Sequence, residues 1–92
     1  MPQDFSFQTL VGVNFSGQNL TDANFSQAIL DNVNFTTTNL TRANFFKANV
    51  KGTNFLNANL VNANFTEADL SGEPDGIFNN LTNANLTGAD LS

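Results

Sequence analysis

Ninety-two residues with eight acids against three bases, and no Cys, His, Trp or Tyr, describe one small acidic chain of net charge −5. That balance disfavours direct binding to nucleic acid or to an anionic membrane, and without Cys there is neither a disulfide framework nor a thiolate metal site, so a reducing cytoplasm is the expected location. A compact chain of this length buries only about 60% of its unfolded surface, so an ordinary globular core would be marginal, and a repetitive core has the advantage.

The opening, MPQDFSFQTL, has no positive n-region and no continuous apolar run, so neither a secretion signal nor a membrane span is expected there. From Phe5 onward a large apolar residue recurs at every fifth position: Phe5, Leu10, Phe15, Leu20, Phe25, Leu30, Phe35, Leu40, Phe45, Val50, Phe55, Leu60, Phe65 and Leu70. An α-helix turns about 100° per residue, so sites five apart would scatter around all its sides. A straight strand would carry all the Phe on one side and all the aliphatics on the other, over a length no ordinary strand reaches. A chain that turns once per five-residue phrase satisfies the pattern, because each central residue then points to a common axis. Phe and aliphatic residues alternate, so a coil holds an even number of phrases, and four phrases make a square coil of twenty residues.

The phrase Ala-(Asn/Asp)-(Leu/Phe)-X-X, as in Ala23-Asn24-Phe25, Ala58-Asn59-Leu60 and Ala68-Asp69-Leu70, resembles that of the pentapeptide repeat family, abundant in cyanobacteria and other bacteria. The resemblance covers nearly the whole chain. It implies a single all-β solenoid domain over residues 1–92, a right-handed quadrilateral β-helix with the central residue and the preceding small residue inside.

With twenty residues per coil the interior columns can be written down. Phe5, Phe25, Phe45 and Phe65 stack on one face, opposite Phe15, Phe35 and Phe55. Leu10, Leu30, Val50 and Leu70 form a third column, and Leu20, Leu40 and Leu60 the fourth. Ala23, Ala43 and Ala63, with Ala28, Ala48 and Ala68, fill the companion slots, so large and small residues alternate around a narrow dry core. The Asn residues before the central positions, such as Asn44, Asn54 and Asn64, read as turn formers that bond to nearby backbone rather than as a ligand ladder. The eight Asn-X-Ser/Thr triplets follow from the same phrase and are not expected to carry glycans. Asp22 and Arg42, Asp31 and Lys51, and Lys47 and Glu67 lie twenty residues apart, so each pair is expected on adjacent coils about 4.8 Å apart, as register marks of small energetic weight.

Regularity breaks over residues 71–80, SGEPDGIFNN, where Glu73, Pro74, Asp75 and Gly76 read as a turn. The phrase resumes at Leu81, Leu86 and Leu91, eleven residues after Leu70 instead of ten. A one-residue bulge would return Leu81 to the Leu20 column, set Leu86 in a Phe column and Leu91 in the third, and leave one core slot above Phe55 for Ile77 or Phe78. Glu73, Asp75, Ile77 and Phe78 are therefore candidate contact residues, either repairing the core or presenting an acidic loop to a partner. At the start, Gln3, Gln8 and Gln18 replace small inward residues, and Met1 and Phe7 are expected to cover the first coil. The last coil, with Leu91, is still in repeat where the sequence ends, and an open solenoid end invites association with itself or another repeat protein.

No catalytic, cofactor-binding or metal-binding residues are expected: the chain has no His or Cys, no phosphate-binding Gly loop and no acid pair in a cleft. A non-catalytic structural or protein-interaction module is the expected function. The alternative is mimicry of DNA to modulate DNA gyrase or a related topoisomerase, as some members of the family do. Four to five coils span only about 22 Å, over which B-DNA carries roughly thirteen phosphates, against a net charge of −5. Outward Phe46, Leu56 and Val61 fall in different columns and read as scattered surface apolars.

Overall fold

The computed structural model describes residues 3–70 together with Asn85, Thr87 and Gly88. Over this span one five-residue unit repeats, and its hydrogen bonds show why. Around Phe25, the Phe25 N–H donates to the Asn44 carbonyl at 2.7 Å, the Asn44 N–H to the Ala23 carbonyl at 2.9 Å, and the Gln27 N–H to the Phe46 carbonyl at 2.8 Å. Every partner lies about one coil on or one coil back. Parallel bridges tie residues twenty apart from Asp4–Asn24 through Asn49–Asp69, one per face. Four bridges and four corners per twenty residues make a quadrilateral β-helix.

Each corner is a β-turn closed by a bond such as that from the Ala28 N–H to the Phe25 carbonyl, 3.1 Å. Its third residue has positive φ, the signature of a type II turn. Gly fills that position at Gly12, Gly17 and Gly52, but Gln27, Thr37 and Arg42 also adopt it, with φ of 60°, 56° and 58°. The left-handed corner thus falls two residues after the central apolar residue, and not on the Asn before it.

Inside, the Phe columns behave as their register requires. Rings of Phe25 and Phe45 stack at 5.0 Å with planes 4° apart, those of Phe45 and Phe65 at 4.6 Å and 1°, and those of Phe35 and Phe55 at 5.3 Å and 7°. The two columns meet edge-on across the axis, Phe35 against Phe45 at 5.9 Å and 85°, so stacked and T-shaped contacts, the two favourable aromatic geometries, alternate. Phe15, Phe25, Phe35, Phe45, Phe55, Phe65, Leu20, Leu30, Leu40, Val50 and Leu60 are buried, while Phe5, Leu10 and Leu70 pack partly buried against them. Ala23, Ala28, Ala43, Ala48, Ala58 and Ala63 are buried in the small slots and Ala68 partly so. Thr38 and Thr53 also occupy small slots: their hydroxyls donate to the carbonyls of Phe15 and Leu30 at 2.9 and 2.8 Å, which is how a polar group is accommodated there.

Two expectations are corrected. Phe7 does not cover the first coil, because it sits at a corner with φ 64° and is 71% exposed; Gln3, Gln8 and Gln18 are exposed too, and Met1 lies outside the described residues. After the interruption, Asn85 pairs with Asn59, and the Leu60 N–H donates to the Asn85 carbonyl at 2.8 Å. The separation is 26 residues instead of 20, so the chain carries six extra residues before returning to register, not one. The phrase of Asn85 therefore belongs on the face of Leu20, Leu40 and Leu60. That corrects the one-residue count and the Phe face expected for this phrase. Leu81, Leu86 and Leu91 themselves lie outside the described residues, as do Ile77 and Phe78.

Phe45 is fully buried between Phe25 and Phe65, and Phe45→Ala is expected to cost about 3–5 kcal/mol in urea unfolding; a loss below about 1 kcal/mol would contradict this packing. Thr37 is β-branched in the left-handed region, so Thr37→Gly is expected to raise stability by about 0.5–1 kcal/mol, relief of strain exceeding the added chain entropy. A lower urea midpoint for that variant would show that the corner is not strained.

Candidate interaction surface

The outer surface follows from the same unit. The residue before each centre points outward and is nearly always Asn, and its side-chain oxygen accepts the backbone N–H two residues on: Asn24 from Ser26 at 2.9 Å, Asn34 from Thr36 at 2.9 Å, Asn44 from Phe46 at 3.0 Å, Asn54 from Leu56 at 3.0 Å and Asn64 from Thr66 at 2.9 Å. Thr21, Thr41 and Thr87 add a hydroxyl bond to the same oxygens of Asn19, Asn39 and Asn85. These are Asx-type turns, with Asn completing the corner.

Of the three expected charge pairs, one forms. The Arg42 guanidinium meets Asp22 through Nε at 2.7 Å and a second nitrogen at 3.2 Å, which holds the Asp22 carboxyl below the usual carboxylate value and raises Arg42. Lys51 turns from Asp31 to Asp69, at 3.6 Å. Lys47 lies over the Phe46 ring, Nζ 5.3 Å from its centroid, and makes no ion pair with Glu67 among the described residues. Backbone proximity one coil apart does not decide where a long lysine chain reaches; a neighbouring ring or a diagonal carboxylate competes on equal terms. Asp4 is also held below the usual carboxylate value, by bonds from the Ser6 hydroxyl and N–H.

Phe46, Leu56 and Val61 are half-buried. The three large apolar side chains that stand exposed among the described residues are instead Phe7, Val11 and Ile29, which sequence reasoning did not single out. The available signal was the failure of the Asn rule at Thr9 and Ile29. Glu73, Asp75, Ile77, Phe78 and Leu91 lie outside the described residues, so the structure neither gathers nor separates them. Among the described residues no three acids or other ligating groups converge to hold a metal, and no helix is long and apolar enough to cross a membrane.

A family model described as a pentapeptide repeat region matches residues 5–74. The fold is similar to that of a solved pentapeptide repeat protein from the thylakoid lumen of Arabidopsis thaliana, at 39% identity and a TM-score of 0.84, covering 91% of this chain and 54% of that one. It is also similar to HetL, a pentapeptide repeat protein involved in heterocyst differentiation regulation in the cyanobacterium Nostoc, at 30% identity and a TM-score of 0.74, covering 97% of this chain and 46% of that one. The chain thus spans about half the length of these solved relatives. No curated protein matches it in sequence. With its twenty-residue coils, its stacked Phe and Leu columns and a matching family model, the chain belongs to the pentapeptide repeat proteins, as a right-handed quadrilateral β-helix.

Proposed function

We propose that the chain is a non-catalytic structural or protein-interaction module of the cytoplasm. The observation that carries this is how its polar side chains are engaged. Asn oxygens accept neighbouring backbone N–H groups, the hydroxyls of Thr38 and Thr53 bond buried carbonyls, and Arg42 and Lys51 pair with Asp22 and Asp69. The described polar groups hold the coil together, whereas catalysis needs them poised toward a substrate.

Absence of Cys supports the cytoplasmic placement; a solved relative from a thylakoid lumen marks the competing compartment. The involvement of HetL in regulation of differentiation accords with a role exerted through contacts. A DNA-mimicking modulator of gyrase is less favoured, because Asp22 and Asp69 each face a base and the carboxylate array is weakened accordingly. Contact is proposed to run through the C-terminal coil, with a second copy or another repeat protein as partner.

Affinity capture from a native lysate, repeated with the last coil deleted, tests this. A partner retained by the full chain and lost on deletion is expected, together with concentration-dependent sedimentation if the partner is a second copy. Equal capture by both forms and strictly monomeric sedimentation would remove the C-terminal coil as the contact.

A further inference from the structure

Phe7, Val11 and Ile29, exposed at 71%, 57% and 41%, fall within two adjacent coils. Ile29 pairs with Thr9 one coil below, Phe7 occupies the corner through which the chain enters that face, and Val11 the corner through which it leaves. The outward Asn is missing from both phrases. Thr9 and Ile29 stand in its place, so the Asx-type bond that Asn49 makes to the Lys51 N–H at 3.2 Å has no counterpart at Val11 or Asp31. Asp31 lies above Val11, its carbonyl accepting the Gly12 N–H at 2.9 Å. Its Oδ1 is buried and has no hydrogen-bond partner. Lys51, the base one coil above, is turned to Asp69.

We propose that this face docks an extended, basic and aliphatic segment of a partner protein. Its aliphatic side chains cover Val11 and Ile29, its carbonyls accept the uncapped N–H groups of Val11 and Asp31, and a Lys or Arg pairs with the Asp31 carboxylate, which neither ion pair of the described residues engages. The net charge of −5 favours a partner of that sign. A second copy of this chain suits the face poorly, because its three bases are engaged: Arg42 with Asp22, Lys51 with Asp69, and Lys47 over Phe46. The proposal rests on the chain being an interaction module and adds a second contact surface, apart from the C-terminal coil.

The test titrates the isotope-labelled full chain with a synthetic peptide of alternating Val and Lys, followed by amide NMR, with a Val and Glu peptide as control. Saturable shifts are expected at Val11, Ile29 and Asp31 below about 1 mM, with the acidic peptide weaker by about tenfold or more. Ile29→Asn restores the Asn phrase, so it is expected to keep or raise the urea midpoint while weakening binding by about tenfold. Asp31→Asn, which keeps the side-chain volume, is expected to weaken binding to a similar degree without altering the fold. No shift at these amides, shifts of equal size with the acidic peptide, or unchanged binding by both variants would overturn the proposal while leaving the capture experiment above to decide the module itself. Shifts of the same amides on raising the protein concentration alone would overturn it in favour of a second copy as the occupant.

Discussion

A backbone amide that points along the axis of this helix has essentially one place to find its partner, the chain one coil on. Buried backbone groups must be paired, so the count of twenty is enforced along the chain, from Asp4–Asn24 to Asn49–Asp69. Like then stacks on like. Phe falls over Phe at 4.6–5.3 Å along both columns because the ladder sets the spacing and the rings are nearly parallel. The same constraint holds past the interruption: Asn85, 26 residues on, pairs on the face of Asn59.

Turning every five residues is costly, and the structure distributes that cost. Among the described residues, ten non-glycine residues adopt positive φ at the corners, Thr37 among them, each against a preference of about 1–2 kcal/mol. Stacked core residues on one side and Asn oxygens on the other offset it. Asn rather than Asp suits the ladder for an electrostatic reason. The two offer the same acceptor oxygen, but carboxylates stacked about 4.8 Å apart would repel in register. Among the described residues the acids in that outward slot are Asp4 and Asp69, each stacked on Asn, Asn24 and Asn49 respectively.

The inward half of this protein was legible in its sequence, because a slot in a narrow core admits few residue types and repeats them. The period of five, the coil of twenty, both Phe columns and the small slots at Ala23 and Ala48 followed from that restriction. What escaped depends on choices that the repeat leaves open. Lys51 and Lys47 are long enough to reach several partners, so register alone did not select Asp31 or Glu67. The phrase of Asn85 has the same form on any face, so its composition could not say whether one or six residues had been inserted; the pairing with Asn59 decides it. Positive φ at Gln27, Thr37 and Arg42 left no mark in composition because the same corner accepts Gly, Thr and Arg alike.

Within so regular a scaffold, a departure on the surface carries more information than adherence, since adherence is already explained by the coil. An outward Asn serves the chain itself by completing a corner. Replacing it with Ile29 gives up that bond, exposes an apolar side chain and leaves the Asp31 N–H without its cap. Neither change helps the isolated coil, and both occur on one face, beside the buried unsatisfied oxygen of Asp31. Such departures within adjacent coils are hard to account for by the fold, and the exposed side chain and the uncapped N–H each gain a partner once another chain is laid against them, because burial and hydrogen bonding are then satisfied together.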